Sequence, residues 1–331
     1  MALTAAAQLA APLELFPPLD FCCAYGSSLL PTNNDKTSMV DYILGVQDPL
    51  QWHQDNLERN RDHYSNCMAR LGPKTITRIS NGIGVGVYFN PFVEWRGKKI
   101  KYGVVSMQDL AWDVLTWEKF YLSGRLQKPV HFLVDNWEIS KVNLVNLKAA
   151  TSAALLFLPD EFTEEDLYGK ICSLSYMGDL RMLFAEDKNK VKKIVQGSFN
   201  SFRAMYKPFL EEYASEGLLK VSSFAHQKVF KQDTGLSATS HLFTSLPSTV
   251  LKQAAPKLGL NKLIDDSGVV SPNIVIHSRD KVKNSVHKVL RRIVMISSAR
   301  QAVSGLVAAG GVNAAVYLAR KISKSWRSRT T

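Results

Sequence analysis

The sequence predicts a mixed α/β domain, followed by a mainly helical domain and a basic amphipathic C-terminal tail. Short apolar runs alternate with helical stretches in the first half of the chain, and helical spacing dominates from residue 159. Residues 281–331 contain eleven Lys and Arg and no Asp or Glu. A chain of 331 residues, 46% of them hydrophobic, is long enough for two cores. We place the units at residues 1–158, 159–264 and 265–331.

The first domain is predicted from apolar runs of strand length and from helical periodicity. Arg96 and Gly97 join two strand-like segments, which indicates a hairpin. The predicted strands are residues 21–25, 39–46, 82–95, 98–106 and 130–134. The predicted helices are residues 51–65, 108–122 and 141–157.

The second domain and the tail are predicted from start signals and charge. Pro159 and the sequence Thr163-Glu164-Glu165 mark a new helix, and residues 187–213 form the longest helical segment. Residues 265–272 are rich in turn formers and predict a linker. Before residue 281 the 30 basic residues balance 29 acidic ones, so the net charge of +12 is carried by the tail. An anionic partner is therefore expected at this end.

A short motif predicts where chemistry takes place. Tyr25, Gly26 and Ser27 follow one apolar strand, and Asp41 lies on the next strand. In the nucleotidyltransferase fold, the glycine lets the backbone approach a polyphosphate and the serine donates hydrogen bonds to it. The carboxylate binds Mg²⁺, which neutralises the phosphates. A plain turn beside a strand-edge aspartate is the alternative interpretation.

The predicted metal site lacks one ligand. A second carboxylate is expected two positions after Asp41, but Ile43 occupies that position. We chose Asp135, at the end of the strand at residues 130–134, as the other ligand, with Asp109 as the next candidate. A helix cap at Asp109 and a turn at Asp135 are the competing roles.

Longer motifs spread over residues 21–200 carry a resemblance to a known family. They are Tyr25-Gly26-Ser27, residues 39–46, Asp48-Pro49, Trp52-His53, His63-Tyr64-Ser65, Lys101-Tyr102-Gly103-Val104, Gly124-Arg125-Leu126, Lys128-Pro129-Val130, Leu158-Pro159, Ser175-Tyr176, Gly178-Asp179, Arg181-Met182 and residues 186–190. In this order they resemble the mitochondrial translocator assembly and maintenance family, the soluble-type phosphatidate cytidylyltransferases.

The resemblance implies a fold, an activity and a location. It implies a nucleotidyltransferase-like mixed sheet domain, a winged-helix-like second domain, and CTP and Mg²⁺ as requirements. It also implies a peripheral protein on the matrix side of the mitochondrial inner membrane. The product, CDP-diacylglycerol, would feed cardiolipin and phosphatidylglycerol synthesis. The first eighteen residues lack the basic residues of a transit peptide, so the sequence does not indicate the import route.

Basic residues supply the remaining site candidates. Arg125 and Lys128 precede a strand and are predicted to bind the phosphates of CTP or of phosphatidate, with Lys128 in a catalytic role. Arg181 and Lys188 open the second domain and are predicted to bind phosphate across an interdomain cleft. Solvated surface charge is the alternative for the first pair, and pairing with nearby acidic residues for the second.

His53 and His63, and the four cysteines, point to structure more than to metal chemistry. The histidines are ten residues apart, which is too far for a metal pair on one helix turn, so we expect structural hydrogen bonds. The cysteines Cys22, Cys23, Cys67 and Cys172 show no zinc spacing and fit a reducing compartment.

The tail is predicted to associate with a membrane. Residues 285–296 place Val286, Val289, Leu290, Ile293 and Ile296 on one helical face with basic residues around it, as in an interfacial helix. Residues 301–319 carry no charge, but their small residues argue against a span. Deleting residues 281–331 is expected to abolish vesicle binding and to leave the nucleotide site intact.

The predicted function is transfer of a cytidylyl group from CTP to phosphatidic acid at an anionic membrane surface, with Mg²⁺ and without a nucleic-acid partner. A non-enzymatic scaffold for assembling a membrane complex is the first alternative, because the carboxylate at Ile43 is missing. Nucleotidyl transfer to RNA is the second, because the same tail charge suits nucleic acid.

Overall fold

The computed structural model describes residues 5–30, 39–180, 182, 189–224, 227–260 and 275–309. The strands are β1 Phe21–Tyr25, β2 Val40–Val46, β3 Tyr88–Trp95, β4 Lys98–Ser106, β5 His131–Val134, β6 Glu161–Thr163, β7 Leu219–Phe224 and β8 Gln227–Gln232. The helices are α1 Ala5–Ala10, α2 Pro49–Arg59, α3 Asn66–Leu71, α4 Pro73–Arg78, α5 Met107–Thr116, α6 Ser123–Leu126, α7 Trp137–Phe157, α8 Glu164–Leu174, α9 Lys190–Gly197, α10 Phe199–Ser215, α11 Leu236–Thr244, α12 Ser248–Ala254 and α13 Arg279–Ala309.

A mixed five-stranded sheet forms the centre of the first domain, in the order β3-β4-β2-β1-β5. Strands β2 and β4 are parallel, and the other neighbours are antiparallel. Tyr25 on β1 pairs with Asp41 on β2, which in turn pairs with Lys101 on β4. The mixed α/β prediction is confirmed, and this register brings three polar side chains to one end of the sheet.

The two faces of the sheet are buried under different helices. Tyr42, Leu44 and Tyr102 lie in a cluster with Trp52 of α2. Side chains on the other face of the sheet, such as Ile43, pack with α5 and α7. The strand runs are therefore continuously apolar because both faces are covered.

Several predicted boundaries differ from the structure: the helix predicted at 51–65 ends at Arg59, the helix predicted at 141–157 begins at Trp137, and three further differences have a backbone cause. Residues 79–83 form a π-helical turn and β3 begins only at Tyr88, because Gly86 has a φ of +84° and interrupts an extended chain. Helix α5 ends at Thr116, since Trp117 is left-handed with a φ of +56°. The predicted helix at 187–213 is two helices separated at Ser198, whose φ of −135° is not helical.

The second domain contains strands that the helical prediction missed. Strands β6, β8 and β7 form a small antiparallel sheet. Helix α8 begins as predicted, with a capping box in which Thr163 and Asp166 bond each other's backbone. The core of this domain also includes Ala149–Phe157 of α7, so α7 is shared by both domains.

Helix α13 spans both domains instead of standing apart as a tail. Its first half buries Val286, Val289 and Leu290 in the second-domain core. Its last turn places Ala308 in a cluster of the first domain with Tyr88. Four residues of the apolar face predicted to contact lipid, from Val286 to Ile293, are therefore covered by protein, whereas Ile296 is exposed. Deletion of residues 281–331 would remove part of the core. The linker predicted at residues 265–272 and the segment at 310–319 lie outside the described residues.

Candidate phosphate-binding site

Gly26 and Asp41 are adjacent at the end of the sheet. Gly26 has a φ of +117° and a ψ of 172°, a combination that only glycine adopts readily, and it leads into the 3-10 turn Ser27–Leu29. A Cβ on Gly26 would lie 2.9 Å from Oδ2 of Asp41. The backbone bend and the carboxylate therefore face each other, as the motif predicts.

Lys101 completes this end of the sheet. Its Nζ lies 3.7 Å from Oδ1 of Asp41 and 4.3 Å from the centre of the Phe89 ring. The side chains of Lys101 and Asp41 are 22% and 26% exposed, so both can be reached from solvent. A cation and a carboxylate thus stand side by side at the mouth of the site.

Arg125 lies over the same end of the sheet. It belongs to the short helix α6, and its guanidinium carbon is 4.1 Å from the centre of the Tyr25 ring. Burial, and then the nearby Asp41 carboxylate, raises the pKa of Tyr25, so the phenol is neutral. Burial lowers the pKa of Arg125, but the neighbouring tyrosines and Asp41 raise it by more, so the guanidinium stays charged.

Lys128 connects α6 to the second domain. Its Nζ donates to the carbonyl oxygen of Gly124 and, at 2.6 Å, to Oγ of Ser175, and it lies 5.1 Å from the Tyr176 ring. The side chain is buried, with 4% exposed. Gly124 allows the close approach, because a Cβ there would lie 2.5 Å from Cβ of Ser175.

A buried carboxylate holds the loop that carries these cations. Asp113 is 3% exposed and accepts hydrogen bonds from five successive backbone N–H groups, those of residues 119–123, at 2.8–3.2 Å. Five donors compensate the cost of burying its charge. The loop before Arg125 is therefore fixed by the side chain of α5.

The second domain and α13 form the other side of the cleft. Ser175, Tyr176 and Asp179 face Arg125 and Lys128 there. From α13 come Val294, Ser297 and Ser298, and Oγ of Ser298 accepts from the backbone N–H of Leu180 at 3.3 Å. The cleft is thus an interdomain one.

Two buried hydroxyls indicate that the cleft suits a ligand rich in oxygen. Oγ of Ser28, in the turn after Gly26, and the hydroxyl of Tyr176 have no hydrogen-bond partner among the described residues. Buried polar groups are normally paired, so such atoms at a cleft point to a missing partner. Phosphate oxygens can accept from both hydroxyls.

The two candidates for a second metal carboxylate lie away from Asp41. Val134 pairs with Cys22, which is opposite Leu44, so the following residue Asp135 is displaced by roughly 13 Å along the strands and lies two strands away. Asp135 instead accepts from Oγ of Ser140 at 2.7 Å. The prediction that Asp135 shares a metal with Asp41 is therefore wrong.

Asp109 is excluded by the same reasoning. Lys101 is level with Asp41, and β4 continues for five more residues, roughly 16 Å, before α5 begins. Oδ2 of Asp109 accepts from Oγ of Ser106, the cap residue of α5, at 2.7 Å. Its role is at the helix start.

A magnesium ion fits this end of the sheet only with substrate oxygens. No group of three His, Cys, Asp or Glu side chains in the described part of the chain is arranged to hold a metal. Mg²⁺, however, commonly binds one or two carboxylates, with substrate phosphates and water completing its shell. Asp41, partly exposed and facing the Gly26 bend, meets that requirement.

Of the four remaining candidates, two lie among the described residues and two do not. Arg181 and Lys188 lie outside the described residues. His53 and His63 are in a buried network in which their Nδ1 atoms contact the hydroxyls of Tyr64 at 2.8 Å and Tyr102 at 3.0 Å. Their structural role, expected from the sequence, agrees with this network.

Several residues of the site were not chosen from the sequence. Lys101, Ser175, Tyr176 and Asp179 stand within motifs of the family resemblance, which was the available signal. Ser28 had no signal beyond following Ser27. The pairing of β2 with β4 and the interdomain contact are needed to see their roles.

The fold and the site define a mixed α/β protein with a cleft lined by the cations Arg125 and Lys128. The chain belongs to the family described as "Phosphatidate cytidylyltransferase, mitochondrial", whose match covers residues 9–324. Relatives of that name include proteins from Mus musculus and Bos taurus, 35% and 36% identical over 326 residues, with 95% of this chain and 93% of each relative covered. A relative from Schizosaccharomyces pombe is 34% identical, over 94% of this chain and 81% of its own length.

Proposed function

We propose that this protein is a phosphatidate cytidylyltransferase, which converts CTP and phosphatidic acid to CDP-diacylglycerol and pyrophosphate. The observation that carries the proposal is the cleft itself: Asp41 and Lys101 lie beside the Gly26 bend, under Arg125. Relatives over nearly the whole chain carry the name of this activity.

The proposed reaction is a direct displacement. A phosphate oxygen of phosphatidate forms a bond to the α-phosphorus of CTP, and the bond from that phosphorus to the bridging oxygen of the β-phosphate breaks. Pyrophosphate leaves with the electron pair. Gly26, Ser27 and Ser28 donate to the triphosphate, while Arg125 and Lys128 stabilise the charge on the leaving group. Arg181 and Lys188 are proposed to add positive charge from the second domain.

Asp41 is proposed to bind Mg²⁺, which when bound neutralises phosphate charge and polarises the α-phosphate. Lys101 orients Asp41 in the absence of substrate, since the two groups are 3.7 Å apart. We include in the proposal a nucleotidyltransferase-like first domain and a winged-helix-like second domain. The mixed sheet and the helices with a three-stranded sheet support this assignment.

The proposed location is the matrix face of the mitochondrial inner membrane, as a peripheral protein that supplies cardiolipin synthesis. The relatives are named mitochondrial. Among the described residues, no helix combines the length and apolar character that crossing a bilayer requires. The basic residues of the tail support attraction to an anionic surface.

The test compares two aspartates on the same sheet. Asp41→Asn should lower cytidylyl transfer from CTP to phosphatidate by about 100-fold or more, because one metal ligand and its charge are lost. Asp135→Asn, at the opposite end of the sheet, should keep the wild-type rate. Thermal unfolding of both variants should stay near wild type, since both side chains are accessible at the surface of the fold. Equal rates for the two variants would remove Asp41 from the mechanism.

The same assay separates the alternatives. A non-enzymatic scaffold predicts no pyrophosphate from CTP and phosphatidate vesicles under any condition. An RNA nucleotidyltransferase predicts labelled RNA in place of labelled lipid. Omission of Mg²⁺ should stop turnover if Asp41 acts through the metal.

A further inference from the structure

A second cleft opens on the other flank of α13. It has a volume of about 440 Å³ and lies between α13, α12 and the loop that follows α5. Val294 and Ser298 of α13 line the cleft that contains Arg125 and Lys128, Ile293 and Ile296 line this one, and Ser297 lines both. The two clefts therefore adjoin at α13 but are lined by different cations.

The walls of the second cleft are strongly cationic. Lys119, Lys252, Lys257, Arg292 and Arg300 all line it. Except for Arg300, whose guanidinium donates to the carbonyl oxygens of residues 81–83, these side chains extend from separate elements toward one space. In the part of the chain that the structure describes, no carboxylate lies within ion-pair distance of any of the five.

The one carboxylate at this cleft is engaged elsewhere. Glu118 accepts a hydrogen bond from Nε1 of Trp112 at 2.6 Å. With Glu118 counted, the lining side chains carry about four positive charges, two of the cations being Arg292 and Arg300 of the basic C-terminal segment. Concentrated charge of this kind attracts and holds an anion with several oxygens, such as a phosphate.

An exposed apolar row continues from the cleft along α13. Ile296 lines the cleft and is 44% exposed, and Val303 and Val307 follow it at seven and eleven residues, 49% and 37% exposed. This spacing keeps the three side chains on one face of a helix. Phosphate-binding groups are therefore joined to a surface that suits hydrocarbon.

We infer that this second cleft binds the phosphate headgroup of an anionic phospholipid and that the row Ile296, Val303, Val307 enters the adjoining lipid. A phospholipid has an anionic headgroup next to hydrocarbon chains, so it can bind the cations of the cleft and cover the apolar row together. A free phosphate would bind the cations but leave the apolar row in water. The site does not require turnover, so it can be tested with a lipid that is not a substrate of the proposed reaction.

The first experiment is flotation of the full chain with phosphatidylglycerol vesicles, without CTP. Lys252→Ala/Lys257→Ala should weaken binding about 30-fold, since each cation near an anionic surface contributes about fivefold. The matched pair Lys220→Ala/Lys228→Ala, exposed lysines on β7 and β8 that do not line the cleft, removes the same charge and should weaken binding less than about threefold. Equal losses for the two pairs would overturn the proposal, because net charge alone would then explain binding.

Competition identifies the source of the phosphate. Millimolar inorganic phosphate should leave vesicle binding by the wild type nearly unchanged. If millimolar inorganic phosphate instead releases the wild-type protein from the vesicles, the ligand of the cleft is a free anion and the lipid assignment is wrong. CTP turnover with a short-chain, soluble phosphatidate should be unchanged in Lys252→Ala/Lys257→Ala, which separates this site from the proposed catalytic one.

A fluorescent probe tests the apolar row directly. Cys67 is an exposed free cysteine, so the probe is placed on Val303→Cys in a Cys67→Ser background. Its emission should shift to shorter wavelength with phosphatidylglycerol vesicles and not with phosphatidylcholine vesicles. A shifted emission before any lipid is added would show that protein covers the row, and would overturn its assignment to lipid.

Discussion

At the scale of single residues, Gly26 performs two tasks that no other residue type can combine. Its φ of +117° and ψ of 172° belong to a region that other residues adopt only with strain. Its missing side chain leaves space for Asp41 Oδ2, which a Cβ would approach to 2.9 Å. Gly72 has a similar backbone, with a φ of 80° and a ψ of 179°, but nothing lies within 4 Å of its Cβ position.

Gly26 and Gly72 together allow the effect of backbone strain on stability to be separated from the effect of the substitution on activity. Gly26→Ala and Gly72→Ala should each lower the free energy of unfolding by about 1–3 kcal/mol, from the same backbone strain. Only Gly26→Ala should also lower CTP turnover severely, because Asp41 must move. Urea unfolding and a steady-state rate, measured on both variants, check this; full activity in Gly26→Ala would show that the bend does not position the carboxylate.

Contacts between residues close to each other in the sequence could be predicted, and contacts between residues distant in the sequence could not. Gly26 and Asp41 are fifteen residues apart on neighbouring strands, so their meeting could be inferred from a motif. Lys101 reaches Asp41 only through a parallel pairing sixty residues away, which no local pattern reveals. Asp135 was chosen as an acidic residue after a strand, but strand direction decides at which end of a sheet such a residue lies.

At the scale of elements, α2 is held to the sheet by a buried polar network. Nδ2 of Asn56 donates to the hydroxyls of Tyr64 and Tyr102, both at 2.9 Å. Those hydroxyls also contact Nδ1 of His53 and of His63. Burial lowers the pKa of both histidines, so the imidazoles are neutral, and the tautomer of each ring decides which group donates in its contact with the hydroxyl.

The network makes stability depend on pH. Burial lowers the pKa of His53 to about 3, and burial also lowers the pKa of His63, against a smaller opposing effect of Asp62. Between about pH 6.5 and pH 3 the unfolded chain binds a proton that folded His53 refuses. The free energy of unfolding should therefore fall with decreasing pH, by up to about 1.4 kcal/mol per pH unit from His53.

Urea unfolding at pH 7.5, 6 and 5 measures this slope. His53→Gln, which can still accept a hydrogen bond from Tyr64, should have a flatter dependence than the wild type. His131→Gln, on the exposed strand β5, should keep the wild-type slope. An unchanged slope in His53→Gln would mean that other groups control the acid response.

Elements with strong local signals were predicted well, and the weak ones were missed. The apolar strands at 21–25 and 98–106 and the capped helix after Thr163 agree closely with the structure. Strands β7 and β8 are short and rich in Lys, Ser and Gln, so they carry no apolar run and are stabilised by pairing with each other and with β6. The polar sequence of these segments gives no strand pattern, and the strands form because of tertiary contacts.

At the scale of the whole molecule, α13 joins the two domains. Leu290 is fully buried in the second-domain core, Ser304 is packed close to Gly84 of the first domain, and Ala308 lies among first-domain residues. Basic residues on the exposed side led us to assign the whole helix to lipid. Periodicity shows that a helix has an apolar face, but it does not show whether lipid or protein covers that face.

Two matched leucines on α13 test its role. Leu290→Asp should lower the free energy of unfolding by more than about 3 kcal/mol, because a charge enters an apolar core, and CTP turnover should be lost. Leu306→Asp, at a position 40% exposed, should leave the thermal unfolding midpoint near wild type. Calorimetry and the rate assay on both variants check this; a wild-type midpoint for Leu290→Asp would show that α13 is dispensable to the fold.

The position of Ser298 in the cleft wall also has a consequence for biosynthesis. Ribosomes make the strand with Asp41 early, yet the residues that close the cleft from the far side are added almost three hundred residues into translation. A nascent chain therefore carries the carboxylate without a complete place for a nucleotide. Prematurely terminated products of this gene should be inert even when they retain every phosphate-contacting residue of the first domain.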